Sequence, residues 1–172
     1  GSAVRLLSED EFVEVRTNRN KNRITREEQE ELSCKSVGIV GLSVGQSAAF
    51  TIAMERSAGT IVIADFDDLE LSNLNRIRAG IHELGFPKWI IAARSILEVD
   101  PFIHIEVFPQ GINEKNIHGF MDKCDVVIDA CDGLSAKAMI RLEAMKRNIP
   151  VIMDTSDRGM LDIERYDILT QD

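Results

Sequence analysis

Val37-Gly38-Ile39-Val40-Gly41 and Thr60-Ile61-Val62-Ile63-Ala64-Asp65 decide the fold. Each is a short, almost wholly apolar run rich in β-branched residues, and each stops at a residue suited to a turn. Such continuous runs fit strands buried on both faces by helices, as in a parallel sheet. Between them Ala48, Ala49, Ile52 and Ala53 share one helical face. The pair therefore predicts a βαβ unit with a right-handed crossover. The alternation continues downstream. Pro87 opens a helix expected to bury Trp89, Ala92, Ala93, Ile96 and Leu97, proline being favoured at the start of a helix. Ile103-His104-Ile105-Glu106-Val107 alternates strictly, which suits a half-wet outer strand. Asn113 to Met121 reads as a short helix or turn, and Asp125-Val126-Val127-Ile128-Asp129 as a buried strand. Leu134, Ala138, Leu142 and Met145 mark the expected buried face of a further helix, and Pro150-Val151-Ile152-Met153-Asp154 is a fifth strand. The prediction is an α/β fold, a Rossmann-like open, mostly parallel sheet with flanking helices.

Residues 1–35 read as an N-terminal helical arm, and residues 36–172 as the nucleotide-binding domain. Ser8-Glu9-Asp10-Glu11 and Thr25-Arg26-Glu27-Glu28 are both S/T-x-x-E capping boxes, each opening a helix. The stretch Arg16 to Arg23 between them is polar and Asn-rich, either a solvated linker or an arm that reaches a ligand or a partner subunit. Gly1-Ser2 reads as the scar of a cleaved tag.

Composition narrows the function. The chain has 172 residues, 44% apolar and 28% charged, so it can bury a core and is not a disordered tract. Its net charge of −9 disfavours broad binding to nucleic acid. Its apolar runs fall far short of the roughly 20 residues needed to span a bilayer. The three cysteines, Cys34, Cys124 and Cys131, include no C-x-x-C pair, so no zinc site is visible, and their odd number fits a reducing, cytoplasmic setting. The three histidines lack metal-ligand spacing.

In a sheet of this kind ligands bind beyond the carboxyl ends of the strands. There the chain places Gly41, Ser43, Val44 and Gly45, then Asp65 and Asp67, then Asp129 and Asp132. A strand-to-helix glycine turn lets backbone N–H groups approach a phosphate, although a plain tight turn is the alternative. Asp65 follows Gly41 at about the distance at which a Rossmann acid meets ribose hydroxyls, the alternative being a turn or capping residue. Asn73 and Arg76 suit a nucleoside triphosphate better than a redox dinucleotide, because a guanidinium offers a fork to phosphate oxygens. Lys88 opposes the helix dipole at the start of its helix, which makes sense beside an anion.

The run Asp65-Phe66-Asp67 through Ser72-Asn73-Leu74-Asn75-Arg76 resembles the D-x-D and S-N-L-x-R signatures of the ThiF/MoeB family, adenylating domains related to ubiquitin-activating enzymes. Gly85-Phe86-Pro87-Lys88 is similar to that family's G-x-P-K, and Asp129 to Gly133 to its D-x-x-D-N, with Gly133 in place of Asn. Asn18-Arg19-Asn20 resembles the N-R-Q of the N-terminal helix, and Arg23 is a second candidate for its arginine. The likeness runs in order over about residues 17 to 155. It implies ATP-dependent, Mg²⁺-assisted adenylation of the C-terminal carboxylate of a small ubiquitin-like or sulfur-carrier protein, with release of pyrophosphate. It further implies that Asp65 binds ribose, that Asn73, Arg76 and Lys88 hold the phosphates, and that Asp132 holds Mg²⁺ or orients the triphosphate. Arg19 would reach the nucleotide of a partner subunit in a homodimer.

The sequence also departs from that family. Aligned without a gap, its G-x-G-G-x-G becomes Gly41-Leu42-Ser43-Val44-Gly45-Gln46, and only the first glycine keeps its place. Either the loop shifts to use Gly45 or nucleotide binding is weakened. A non-catalytic partner subunit of the same fold and a NAD-binding redox module are the alternatives. Cys131 reads as a small packing residue. Arg158 to Tyr166 would begin a later sheet, and the resemblance leads us to expect a longer protein carrying the carrier-binding elements.

Overall fold

The computed structural model describes residues 7–154 and 160–168. Two helices come first, α1 (Glu9–Thr17) and α2 (Arg26–Ser33), with a 3-10 turn at Asn18–Asn20 after α1. Ser8 with Glu11, and Thr25 with Glu28, form the capping boxes that start them. Then follow β1 (Ser36–Val40), α3 (Gly45–Glu55), β2 (Thr60–Ala64), α4 (Lys88–Val99), β3 (His104–Phe108) and α5 (Ile117–Met121). β4 (Val126–Asp129), α6 (Leu134–Arg147), β5 (Val151–Asp154) and β6 (Leu161–Glu164) complete the order.

The sheet runs β3-β2-β1-β4-β5-β6. All neighbours are parallel except β5 and β6. This is the expected Rossmann-like architecture, with β3 at an edge. Its apolar strands face helices on both sides. Ile39, Ile61 and Ile63 pack with Ala49, Ala53 and Ile96 on one face. Val40, Val62 and Val127 pack with Phe120, Ile140 and Ala144 on the other.

Three expectations are corrected. Leu134, Leu142 and Met145 of α6 are 82%, 59% and 55% exposed, and Ala138 is exposed too. The helix is rolled so that Ile140 and Ala144 meet the sheet, and Arg141 reaches the buried carboxylate of Asp129. The face turned to the sheet thus combines Ile140 and Ala144 with a charge pair, and the more conspicuous apolar stripe faces out. In α4, Leu97 is exposed and Ile91 is buried in its stead. Leu161–Glu164 adds an antiparallel strand to the same sheet rather than starting another. Arg158 and Gly159, and Thr155-Ser156-Asp157 after β5, lie outside the described residues.

The arm is fastened to the end of α3 remote from the glycine turn. Arg16 Nε donates to the Met54 carbonyl at 3.2 Å, and Asn20 Nδ2 to the Glu55 carbonyl at 3.2 Å. Gln29 Nε2 donates to the Arg56 carbonyl at 2.7 Å. Arg56 ends α3 in the left-handed region, φ 55°, and its guanidinium is buried. It donates to Asp100 from Nε at 2.7 Å and from Nη2 at 3.3 Å, and to Glu9 of α1 at 3.0 Å. Asp100 is fully buried and also accepts the Phe102 and Ile103 N–H groups.

Removing one partner of a buried pair strands the other charge away from water. We therefore expect Asp100→Ala to lower the unfolding free energy by about 3–5 kcal/mol, measured by urea denaturation. A loss below about 1 kcal/mol would mean that Glu9 alone satisfies Arg56.

Candidate active site

The carboxyl ends of three adjacent strands meet at one level. Val40 of β1 is in register with Ala64 of β2 and with Asp129 of β4. Between β1 and β4 the strand order reverses, the position at which open α/β sheets form a crevice.

Gly41 turns the chain out of β1 at φ +87°, a conformation that L side chains rarely adopt. A Cβ there would lie 2.6 Å from the Ala130 carbonyl oxygen. The turn is thus pressed against the loop that carries Asp132. Gly45 begins α3, and a Cβ on it would lie 2.7 Å from Ile39 Cγ2. Gly45 therefore lets α3 sit close on β1, and Ser43 and Val44 form the bend between the two glycines.

Asp65 lies just beyond β2 and is 6% exposed. Its Oδ2 accepts the Leu42 N–H at 2.6 Å, and its Oδ1 accepts the Asp67 N–H at 2.8 Å. One carboxylate thus ties the glycine turn to the following loop. Burial pushes its pKa up, while the two backbone donors and the Lys88 charge oppose the rise. Each oxygen keeps a further lone pair for a hydroxyl donor.

The D-x-D segment folds onto the G-F-P-K segment. Leu69 N–H donates to the Phe86 carbonyl at 2.8 Å, Gly85 N–H to Leu69 at 2.9 Å and Lys88 N–H to Asp67 at 2.9 Å. This pairing delivers Lys88 to the turn. Its ammonium is 6% exposed, 2.8 Å from Asp67 Oδ2 and 3.4 Å from Ser43 Oγ. The anion expected beside this lysine is the Asp67 carboxylate.

Asn73 and Arg76 occupy the 3-10 turn Leu71–Asn75 and its end. Asn73 is buried, and its Oδ1 accepts the Glu70 N–H at 3.0 Å. Its carbonyl accepts the Arg76 and Ile77 N–H groups, at 3.0 and 2.9 Å. Asn73 therefore shapes the turn from which Arg76 projects. Arg76 is exposed, and its Nη1 meets only Asn75 Oδ1 at 3.0 Å and the Ser72 carbonyl at 3.4 Å.

Asp129 ends β4 fully buried. It accepts from Arg141 Nη1 at 2.6 Å and from Cys131, from N–H at 3.2 Å and Sγ at 3.0 Å, with Lys137 Nζ at 3.5 Å. Burial pushes its carboxyl up, but the Cys131 and Arg141 hydrogen bonds and the Lys137 charge together hold it below the usual range. Burial and the neighbouring Asp129 push the Cys131 thiol up to about 12, which leaves it a packing thiol rather than a nucleophile. Asp132 is exposed just ahead of α6 and has no partner among the described residues.

The structure thus brings together Gly41, Ser43, Asp65, Asp67 and Lys88, with Val44 and Gly45 in the same bend. It sets Arg76 and Asp132 on loops bordering that group. Arg19 lies elsewhere, in the turn that Asn20 pins to Glu55. α3 separates that point from Gly45 by about 15 Å at 1.5 Å per residue. Arg19 and Arg23 are exposed, and neither side chain meets a partner among the described residues. Sequence reading missed the side-chain work of Gln46 and Arg141. Arg141 could have been sought as the partner that a buried aspartate requires, and Gln46 carried no signal.

Among the described residues no group of three or more His, Cys, Asp and Glu side chains could enclose a metal. An exposed carboxylate, Asp132, borders the group. That fits a cation held by one carboxylate together with substrate phosphates. No helix is long and apolar enough to cross a membrane among the described residues.

The ThiF family model matches residues 16–157. The uncharacterized protein MT1398 of Mycobacterium tuberculosis (strain CDC 1551 / Oshkosh) is 46% identical over 157 residues, which cover 91% of this chain and 22% of that protein. The sulfur carrier protein ThiS adenylyltransferase of Escherichia coli K12 is 29% identical over 126 residues, 72% of this chain and 50% of that one. The crystal structure of the E. coli tRNA N6-threonylcarbamoyladenosine dehydratase TcdA in complex with ATP superposes with a TM-score of 0.79 at 24% identity, covering 87% of this chain and 62% of that chain. This chain spans about a fifth of the length of the first of these proteins and about half to two thirds of the others.

The Asp129–Arg141 pair has a pH signature. A carboxyl held low in the folded state adds stability above the unfolded pKa, and loses it as pH falls through the lower folded value. Arg141→Ala is expected to cost about 2–3 kcal/mol at pH 7 and less at an acid pH below the usual carboxylate range, once Asp129 has gained a proton. Urea unfolding of both proteins at the two pH values measures this. A deficit that stays constant with pH would show that Arg141 stabilises by packing alone.

Proposed function

The chain belongs to the ThiF family, and we propose that it binds ATP and adenylates the C-terminal carboxylate of a small ubiquitin-like or sulfur-carrier protein. The observation that carries this reading is the buried Lys88 ammonium, held at the glycine turn by Asp67 and beside the Ser43 hydroxyl. Asp67 is about half exposed, so an anionic ligand arriving at the turn can displace it from the enclosed cation. Asp65, at the ribose position of the fold, keeps lone pairs for sugar hydroxyls.

In the proposed reaction a carrier carboxylate oxygen attacks the α-phosphorus of ATP. The new O–P bond forms as the α–β bridging P–O bond breaks, and pyrophosphate departs. No side chain of this protein is the nucleophile. Lys88 exchanges Asp67 for phosphate oxygens, and the exposed Arg76 fork offsets charge growing on the pyrophosphate. The glycine turn and Asp65 hold the nucleotide in line. Mg²⁺, carried on Asp132, would further neutralise the phosphates.

The arm enters as a trans element. Arg19 is remote from this chain's own turn, so contact with a nucleotide requires a neighbouring copy, and a homodimer provides one. Mass determination by sedimentation at micromolar concentration tests this assembly, and a strict monomer would leave Arg19 without that role.

Calorimetric titration with ATP and with NAD tests the central claim. ATP is expected to bind and NAD to compete poorly. Arg76→Ala should weaken ATP by about 10- to 100-fold, the loss of one charge-assisted contact. Preference for NAD would overturn adenylation in favour of a redox module. ATP binding without pyrophosphate exchange in the complete protein supplied with its carrier would favour a non-catalytic partner subunit.

A further inference from the structure

Gln46 stands in the first turn of α3, where the family resemblance places the last glycine of the loop. It is 5% exposed. Its Oε1 accepts the Arg78 N–H at 3.1 Å, and its Nε2 donates to the Arg78 carbonyl at 3.4 Å. One amide side chain thus grips both backbone groups of a residue 32 positions away. Arg78 is held a second time, since its guanidinium lies 5.3 Å from the centre of the Phe50 ring. Gln46 and Phe50 are four residues apart on α3, so they present one face to this loop.

Arg78 is two residues beyond Arg76. The intervening Ile77 is buried against Leu69 and Ile91. Asn73 shapes the turn from within, its Oδ1 accepting the Glu70 N–H. Gln46 is the hydrogen-bonding link between that loop and the helix that starts at the glycine turn. Ile77 ties the loop to α4, which carries Lys88, and Gln46 with Phe50 ties it to α3, which starts at the glycine turn.

We infer that Gln46 is a positioning residue that fixes Arg76 relative to the glycine turn, so that the turn and the Arg76 loop address one triphosphate. The departure from the glycine-rich loop is then a rewiring. Gly45 takes over the close helix–strand contact, and the position freed for a side chain carries the clamp. This inference rests on the proposal that the site binds ATP.

The test compares ATP with AMP, because Arg76 is assigned to the outer phosphates that AMP lacks. Gln46→Met keeps the length of the side chain and removes both hydrogen bonds. Titration of the intact protein is expected to show ATP weakened about tenfold and AMP nearly unchanged. In an Arg76→Ala background the same substitution should have almost no further effect on ATP, because coupled residues are non-additive. Equal weakening of ATP and AMP, an undiminished effect in the Arg76→Ala background, or unchanged ATP affinity would each overturn the inference. Gln46→Glu carries the same comparison should Gln46→Met fail to fold. It keeps the bond from the Arg78 N–H and sets a carboxylate against the Arg78 carbonyl, so ATP but not AMP should again weaken. Wild-type protein that ignores ATP would overturn the adenylation reading together with this inference, whereas wild-type binding with an indifferent Gln46 overturns only the latter.

Discussion

The carboxylate of Asp65 is the constraint on which the rest of the site depends. It is nearly sealed from solvent and accepts two backbone N–H groups, one from the turn after β1 and one from the loop after β2. A buried carboxylate is costly unless its acceptors are used, so the two segments are drawn to it. Once Leu42 and Asp67 are placed, Asp67 can hold Lys88, and the backbone pairing of residues 67–69 with 85–88 follows. Gly41 completes the arrangement from the other side by admitting the Ala130 carbonyl where any side chain would stand. Three strand ends are thereby joined by one acidic side chain, one glycine and one lysine.

Charge is handled by the same means throughout. The chain carries a large negative excess, yet three of its buried ionic groups lie against an opposite charge: Arg56 against Asp100, Lys88 against the half-exposed Asp67, and Asp129 against Arg141. Such pairs are weak sources of net stability, because desolvation offsets much of the attraction, but breaking one is expensive. Their value here is positional. Arg141 of α6 reaches Asp129 at the end of β4, and Arg56 joins the end of α3 to the end of α4 through Asp100 and to α1 through Glu9.

The strands were legible because doubly buried parallel strands leave continuous β-branched runs, and Val37 to Val40 and Ile61 to Ala64 are such runs. The bend at Gly41 and the acid at Asp65 were legible because a turn and a carboxylate at those offsets have few alternatives. Helix faces were less so. The stripe Leu134, Ala138, Leu142, Met145 is as regular as any buried face, and the competing face, with Ile140, Ala144 and Arg141, is distinguished by long-range partners that spacing does not show. The part Asn73 plays in shaping its own turn, through its Oδ1 and the Glu70 N–H, needs local backbone geometry to be seen. Gln46 was invisible for a related reason, since an amide that grips backbone across a long loop leaves no trace in spacing or periodicity.

The arm has been described by its anchors on the far end of α3. An element held by Arg16, Asn20, Gln29 and the Glu9–Arg56 pair is a bracket and not a tether. Tethers search space, and their effectiveness falls with length as an entropy problem. A bracket presents the backbone that bears its exposed arginines at one fixed place. Whatever molecule they meet must arrive with its own surface already matched to that place, and no adjustment of linker length could compensate for a poor match.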